Sequence, residues 1–252
     1  MKQEIWNGDC LELMNHIADN SVNMILCDLP YGTTTCKWDI IIPFDKLWVQ
    51  YERIITDNGA IVLFGSEPFS SYLRLSNIKW YKYDWYWRKT RPSGFINAKL
   101  KVMKDIETIS VFSDGTTANR SLNNMKYFPQ GLESCNIEWR RPILYKNGDK
   151  GVNPTRESHK LDKLITKSSY PRQVLDYSNP NNKLLHPAQK PVNLCEYLIK
   201  TYSREGEVIL DNCSGSGSVL VAAKNLNRQF IGIEKEKEYY DICLKRLNTN
   251  ES

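Results

Sequence analysis

Apolar and polar positions along this chain fall into short blocks whose period switches between continuous, helical and alternating. Val22 to Cys27 is an unbroken apolar run bounded by polar residues, the pattern of a buried strand. Before it, Lys2 to Trp6 predicts a short strand, Asn7-Gly8-Asp9 a turn, and Leu13, Met14 and Ile17 a short helix capped by Asp9. After it, Phe44, Leu47, Trp48, Tyr51, Ile54 and Ile55 recur at helical spacing, and Asn58-Gly59 ends that helix before a second buried strand, Ala60 to Phe64. Tyr81, Tyr83, Trp85 and Trp87 alternate with Lys82, Asp84, Tyr86 and Arg88, which predicts a strand with an aromatic inner face. A further strand is expected from Glu107 to Phe112.

The periodicity fails from residue 115 to about 183, where Asn, Ser, Lys, Pro and Gly dominate. So long a stretch without pattern reads as either an inserted recognition region or a partly mobile one. Order returns with a helix carrying Val192, Cys195, Ile199 and Tyr202. It continues with a strand at Val208–Leu210, a helix through Val219, Ala222, Ala223 and Leu226, a strand at Phe230–Ile233 and a last helix through Tyr239, Cys243 and Leu247. Strand and helix alternate at both ends, so the expected fold is α/β with a mostly parallel sheet. Its body would be residues 1–114 and 184–252, interrupted by 115–183.

Composition narrows the class. The 252 residues are 41% hydrophobic and 25% charged, ordinary for a water-soluble globular domain, and no apolar run approaches the ~20 residues of a bilayer span. No apolar signal segment follows Met1, so a cytoplasmic protein with no membrane partner is expected. Seven cysteines without a C-x-x-C pair point to reduced thiols, and three scattered histidines offer no metal cluster. Net charge is only +5, yet Lys79 to Lys104 holds eight Lys/Arg against one acid, Asp84, leaving the rest of the chain at −2. A basic segment on a near-neutral body is the footprint of phosphate-backbone binding, with Arg88, Lys89, Arg91, Lys99 and Lys101 as candidate contacts.

Two motifs carry chemistry. Asp28-Leu29-Pro30-Tyr31-Gly32 follows the first buried strand, placing a carboxylate, a stiff turn and an aromatic where ligands bind in open α/β sheets. Asp211-Asn212-Cys213-Ser214-Gly215-Ser216-Gly217 joins a later strand to a helix, where glycines admit a ligand close to the backbone. Glu234 ends the next strand, seventeen residues after Gly217, placed to accept from ribose hydroxyls. Leu220 stands where a dinucleotide fingerprint needs its third glycine, so the pattern favours S-adenosylmethionine.

These residues resemble the amino-group DNA methyltransferases. Asp28-Leu29-Pro30-Tyr31 is similar to the family's catalytic D/N/S-P-P-Y/F/W motif, with Leu29 replacing the first proline. His186-Pro187-Ala188-Gln189-Lys190-Pro191, Asp211 to Gly217 and Ile231-Gly232-Ile233-Glu234 resemble its cofactor half, with Asn212-Cys213 in place of a Pro-Phe pair. The catalytic motif precedes the cofactor motif, the order of the family's β group and of phage and bacterial adenine methylases.

The resemblance implies a Rossmann-like S-adenosylmethionine-dependent methyltransferase fold with circularly permuted motifs and a seven-stranded, mostly parallel sheet. It implies a double-stranded DNA substrate and a place in restriction–modification. In that reading Asp28 and the carbonyl of Leu29 or Pro30 accept the two N–H bonds of an adenine amine, and Tyr31 stacks on the extruded base. For the cofactor, Asp211 holds the amino group, Gly215 and Gly217 underlie it, Glu234 takes the ribose, Asp9 meets the adenine ring and Lys190 lines the methionine side. His186 has a structural turn role. Cytosine-N4 methylation, where Ser tends to replace Asp28, and a non-catalytic DNA-binding protein of the same fold stay open, as does a homodimer. A C5-cytosine mechanism would need a thiolate nucleophile, but position 31 is Tyr, and Cys27 sits within the apolar run as a core residue.

Overall fold

In the computed structural model, residues 3–36, 38–119, 121–139, 163–180 and 188–249 are described. Lys2, Lys37, His186 and Pro187, together with all of 140–162, which includes His159, lie outside them. The main unit comprises the chain up to Phe128 and from Gln173 onward. Its strands are β1 (Gln3–Asn7), β2 (Val22–Cys27), β3 (Ile55–Gly65), β4 (Tyr81–Ser93) and β5 (Lys104–Phe112) from the first half. The second unit, Pro129–Arg172, contains an antiparallel pair, β6 (Glu133–Trp139) and β7 (Lys163–Ser168). The main unit then adds β8 (Val174–Tyr177), β9 (Val208–Asp211) and β10 (Gln229–Glu234).

The sheet order is β1-β10-β9-β2-β3-β5-β4-β8. Pairing is parallel from β1 through β3, antiparallel at β3–β5 and β5–β4, and parallel again at β4–β8. Among the described residues the sheet therefore has eight strands, one more than expected. The eighth is β8, whose Leu175 is buried although it lies in the stretch read as patternless. Residues 115–128 and 173–180 also belong to the main unit, so the separately packed segment is narrower than 115–183.

Among the described residues, six helices flank the strands: α1 (Cys10–Leu13), α2 (Phe44–Ile54), α3 (Phe69–Ser76), α4 (Val192–Tyr202), α5 (Ser218–Asn225) and α6 (Lys237–Thr249). From Met24 onward, past an irregularity after Val22, side chains alternate between the two faces of β2. Met24 and Leu26 pack in one core with α4 and α5, while Val22, Ile25 and Cys27 pack in the other with α1, α2 and α3. Both faces are covered, so the strand reads as an unbroken apolar run. Asp9 caps α1 as expected, its Oδ1 accepting from the Leu11 N–H at 3.0 Å. Asn58 does not end an element. It takes a left-handed φ of 60° inside β3, which begins directly after α2.

The seam between β9 and β2 matters most for function. Ile209 and Leu210 pair with Met24 and Ile25, which joins strands almost two hundred residues apart in sequence. Strand order reverses there, and in such sheets the crevice beyond the strand ends takes the ligand.

Candidate active site

Because β2 and β9 run side by side in parallel, the turns after them open in the same direction. Asp28 to Tyr31 and Asp211 to Ser216 line one cavity of roughly 320 Å³, together with Asp9, Lys190 and Glu234. The volume is at the small end of the range for small-molecule sites. Gly217, expected to underlie a ligand, is not part of the lining. Its φ of 79° and its close approach to the Cys243 sulfur make it a packing glycine at the start of α5.

Asp28 is held on both oxygens. The Tyr31 hydroxyl donates to Oδ1 at 2.6 Å, and the buried Lys190 ammonium donates to Oδ2. Burial pushes the Asp28 carboxyl above the ordinary carboxylate range, with Lys190 working against it and the charge of Glu107 adding to it. The Lys190 ammonium is held above its ordinary value; burial opposes this, and the charges of Asp28 and Glu107 outweigh it. The Tyr31 ring stacks on Phe69 with centroids 4.9 Å apart.

Asp211 is 2% exposed and accepts from the Cys213 N–H at 3.2 Å. Burial raises its carboxyl to about 7, a shift that the charges of Asp28 and Glu234 reinforce. Glu234, expected to face ribose hydroxyls, lines the cavity and accepts from two backbone donors, the Gly215 N–H at 2.7 Å and the Glu236 N–H at 2.8 Å. Burial is the main reason its carboxyl is raised. Asn212 has a structural use: its Oδ1 accepts from the Tyr51 hydroxyl of α2 at 2.6 Å, binding the two halves of the chain beneath the cavity. Cys27 is core as expected, with burial pushing its thiol up to about 12.

Two carboxylates went unassigned in the sequence. Asp39 accepts from the N–H groups of Gly32, Thr33 and Thr34 at 2.8, 2.9 and 2.7 Å, closing the loop after Tyr31. Burial opposes its ionisation, but the hydroxyl of Thr34 and these three N–H groups hold it below the usual carboxylate range. Glu107 pairs with Lys89 and lies 3.5 Å from Lys190. The burial alternation carried this signal: Lys89 follows Trp85 and Trp87 on one face of β4, and Glu107 precedes Ile109 and Val111 on the same side of β5.

The basic segment is correspondingly revised. Lys89, expected as a phosphate contact, is turned inward and paired with Glu107, its side chain 14% exposed. Arg88 is exposed but paired with Asp176 at 2.5 Å. The Arg91 N–H donates to Asn179 at 3.0 Å. Lys99 and Lys101 are exposed in the β4–β5 loop, which also displays Phe95, Ile96, Leu100 and Val102, each at least 79% exposed.

A family model described as DNA methylase, of the N6/N4 type, matches residues 22–245. The chain belongs to the N6/N4 DNA methylase family. Among curated relatives of this DNA methylase is the Type II methyltransferase M.HpaI of Haemophilus parainfluenzae. It is 26% identical over 264 residues, covering 99% of this chain and 75% of that protein. The Type II methyltransferase M.HindIII of Haemophilus influenzae is 25% identical over 298 residues, covering 96% and 94%. Among solved structures, the cytosine-N4-specific PvuII DNA methyltransferase superposes with a TM-score of 0.66 at 15% identity, covering 98% of this chain and 86% of that one. The M1.HpyAVI complex with SAM gives 0.63 at 24% identity, covering 97% and 98%. These two likenesses establish the fold.

Proposed function

We propose that this DNA methylase transfers the methyl group of S-adenosylmethionine to the N6 amino group of adenine in double-stranded DNA. The observation that carries the reading is the shared cavity in which Asp28 and Asp211 stand at the ends of adjacent strands. Its charge suits the cofactor. Asp9, Asp28, Asp211 and Glu234 line one wall system against the ammonium of Lys190 and the outlying Lys235, an environment for a sulfonium and an ammonium. Bound there, the cofactor supplies an electrophilic methyl group carried on positive sulfur.

The chain's own residues do the rest. Asp211 holds the ammonium of the methionine moiety, and Asp9 and Glu234 face the nucleoside end. An exocyclic amine is a poor nucleophile because its lone pair is delocalised into the ring. Asp28 accepts one N–H and a backbone carbonyl of Leu29 or Pro30 the other, which turns the lone pair out of the ring plane and stabilises positive charge developing on nitrogen. Hydrogen bonds to a charged acceptor are roughly twice as strong as neutral ones. Tyr31, backed by Phe69, forms the stacking wall for an extruded base.

DNA would meet the β4–β5 loop, where Lys99 and Lys101 flank solvent-exposed Leu100 and exposed Phe95 and Ile96 precede them. Cations for phosphates beside apolar side chains for unstacked bases suit a duplex that must be opened. The unit at 129–172 is the target-recognition region in this reading. Asp at position 28 supports adenine over cytosine. Incubation with duplex plasmid and labelled cofactor, followed by nucleoside analysis, is expected to place the label in N6-methyladenine. Label only in N4-methylcytosine, or none, overturns the assignment.

A further inference from the structure

Beside Asp28 lies a second inward-facing carboxylate that the functional reading leaves unused. Glu107 stands opposite Trp87 across the β4–β5 ladder, its side chain 14% exposed. One oxygen is paired with Lys89. The other, Oε2, is buried without a hydrogen-bond partner, and the Lys190 ammonium lies 3.5 Å from it. Lys190 therefore sits between two carboxylates, bonded closely to Asp28 and paired at the longer distance with Glu107.

This arrangement has a consequence for a target amine. Asp28 must accept an N–H from the base; Tyr31 takes one lone pair of its Oδ1, and the Lys190 charge on Oδ2 draws away electron density that the amine's N–H needs. An ammonium moved off Asp28 into a buried site needs another anion at once, since an unpaired buried charge is costly. Glu107, whose Oε2 has no shorter hydrogen bond and already lies 3.5 Å from the ammonium, is that anion. From this geometry we infer that Glu107 is a positioning residue: it takes over Lys190 when the amine of the target base arrives, and so releases Asp28 Oδ2 for the reaction. Lys89 balances Glu107 throughout, so the set of two carboxylates and two ammoniums stays neutral. The inference rests on the proposed amine methylation.

Charge sign provides the test. Asp28 is faced by Tyr31 from its own loop, Cys27 from β2, Lys190, Glu107 from β5, Asp211 from β9 and Cys195 from α4. Glu107→Gln removes a negative charge near Asp28 and strands Lys190 on it. Lys89→Met removes a positive charge and strengthens the pull of Glu107 on Lys190. Single-turnover methylation of duplex DNA would be measured against pH for both variants, with cofactor affinity in parallel. For Glu107→Gln the rate is expected to fall about tenfold or more through misplacement of the reacting groups, with cofactor affinity retained. Its acid limb is expected to move to lower pH by about one unit, and that of Lys89→Met to higher pH, as for neighbouring charges within several ångströms. A merely structural Glu107 would lower the rate without moving the limbs in opposite directions.

Limbs that stay put, or that move together, overturn the inference while leaving the wild-type activity standing. Should Glu107→Gln fail to fold, the direction of the Lys89→Met limb decides alone. Wild-type protein that methylates no DNA overturns the functional reading, and this inference with it.

Discussion

The Asp211 carboxyl links cofactor binding to pH in a way that can be worked out from its burial. In the folded protein it titrates at about 7, against an ordinary value of 3.8. A displacement of about three pH units corresponds to roughly 4 kcal/mol, the penalty for ionising the buried Asp211. Between pH 4 and 7 the folded state keeps a proton that the unfolded chain gives up. The contribution of this group to stability is therefore greatest below pH 4, declines as pH rises to 7 and is flat above.

The cofactor's ammonium reverses the preference, because a cation against Asp211 favours the carboxylate. Binding should then release close to one proton per cofactor at pH 6, and affinity should be about tenfold tighter at pH 7 than at 5.5. Calorimetry in buffers of different ionisation enthalpy over pH 5.5–7 measures both quantities. The range stays below about 7.7, where an α-amino group is half deprotonated. Asp211→Asn should bind the cofactor weakly, with no proton release, and should lose the decline in unfolding free energy between pH 4 and 7. Affinity flat with pH in the wild type, or the same slope in Asp211→Asn, refutes the reasoning.

Asp28→Ala should abolish methyl transfer while leaving cofactor binding nearly intact, because Asp28 acts on the amine; parallel loss of cofactor binding in calorimetry would reassign it. Asp39→Ala removes the acceptor for three N–H groups and should cost about 2 kcal/mol in urea unfolding. It should also slow transfer by loosening the loop behind Tyr31, and an unchanged midpoint would return Asp39 to the surface. Lys99→Ala with Lys101→Ala should lower the slope of log affinity for DNA against log salt by about one for each phosphate left without its cation. Lys89→Met should leave that slope unchanged.

Sequence by itself determined the local elements and the chemistry each can bring. The apolar run of β2 and the helical spacing of α2, α4 and α6 are set by side chains a few positions apart, so their periods are readable without the fold. Asp28 and Asp211 were legible because each ends a strand within its own motif. Their meeting was expected only through the family resemblance and not from any local period, since it depends on β9 lying against β2, far away in the chain. Non-local strand pairing leaves no trace in a local period.

Charge shows the same division. A lysine in a basic stretch announces its sign but not its direction, and Lys89 was grouped with surface cations although the alternation of Trp85 and Trp87 carried it inward. Only the tertiary structure put Glu107, Lys190 and Asp28 around one another, because three strands and a loop remote in sequence had to close before those charges lost their water. Burial converts a residue's chemistry into a site's chemistry, and burial belongs to the fold.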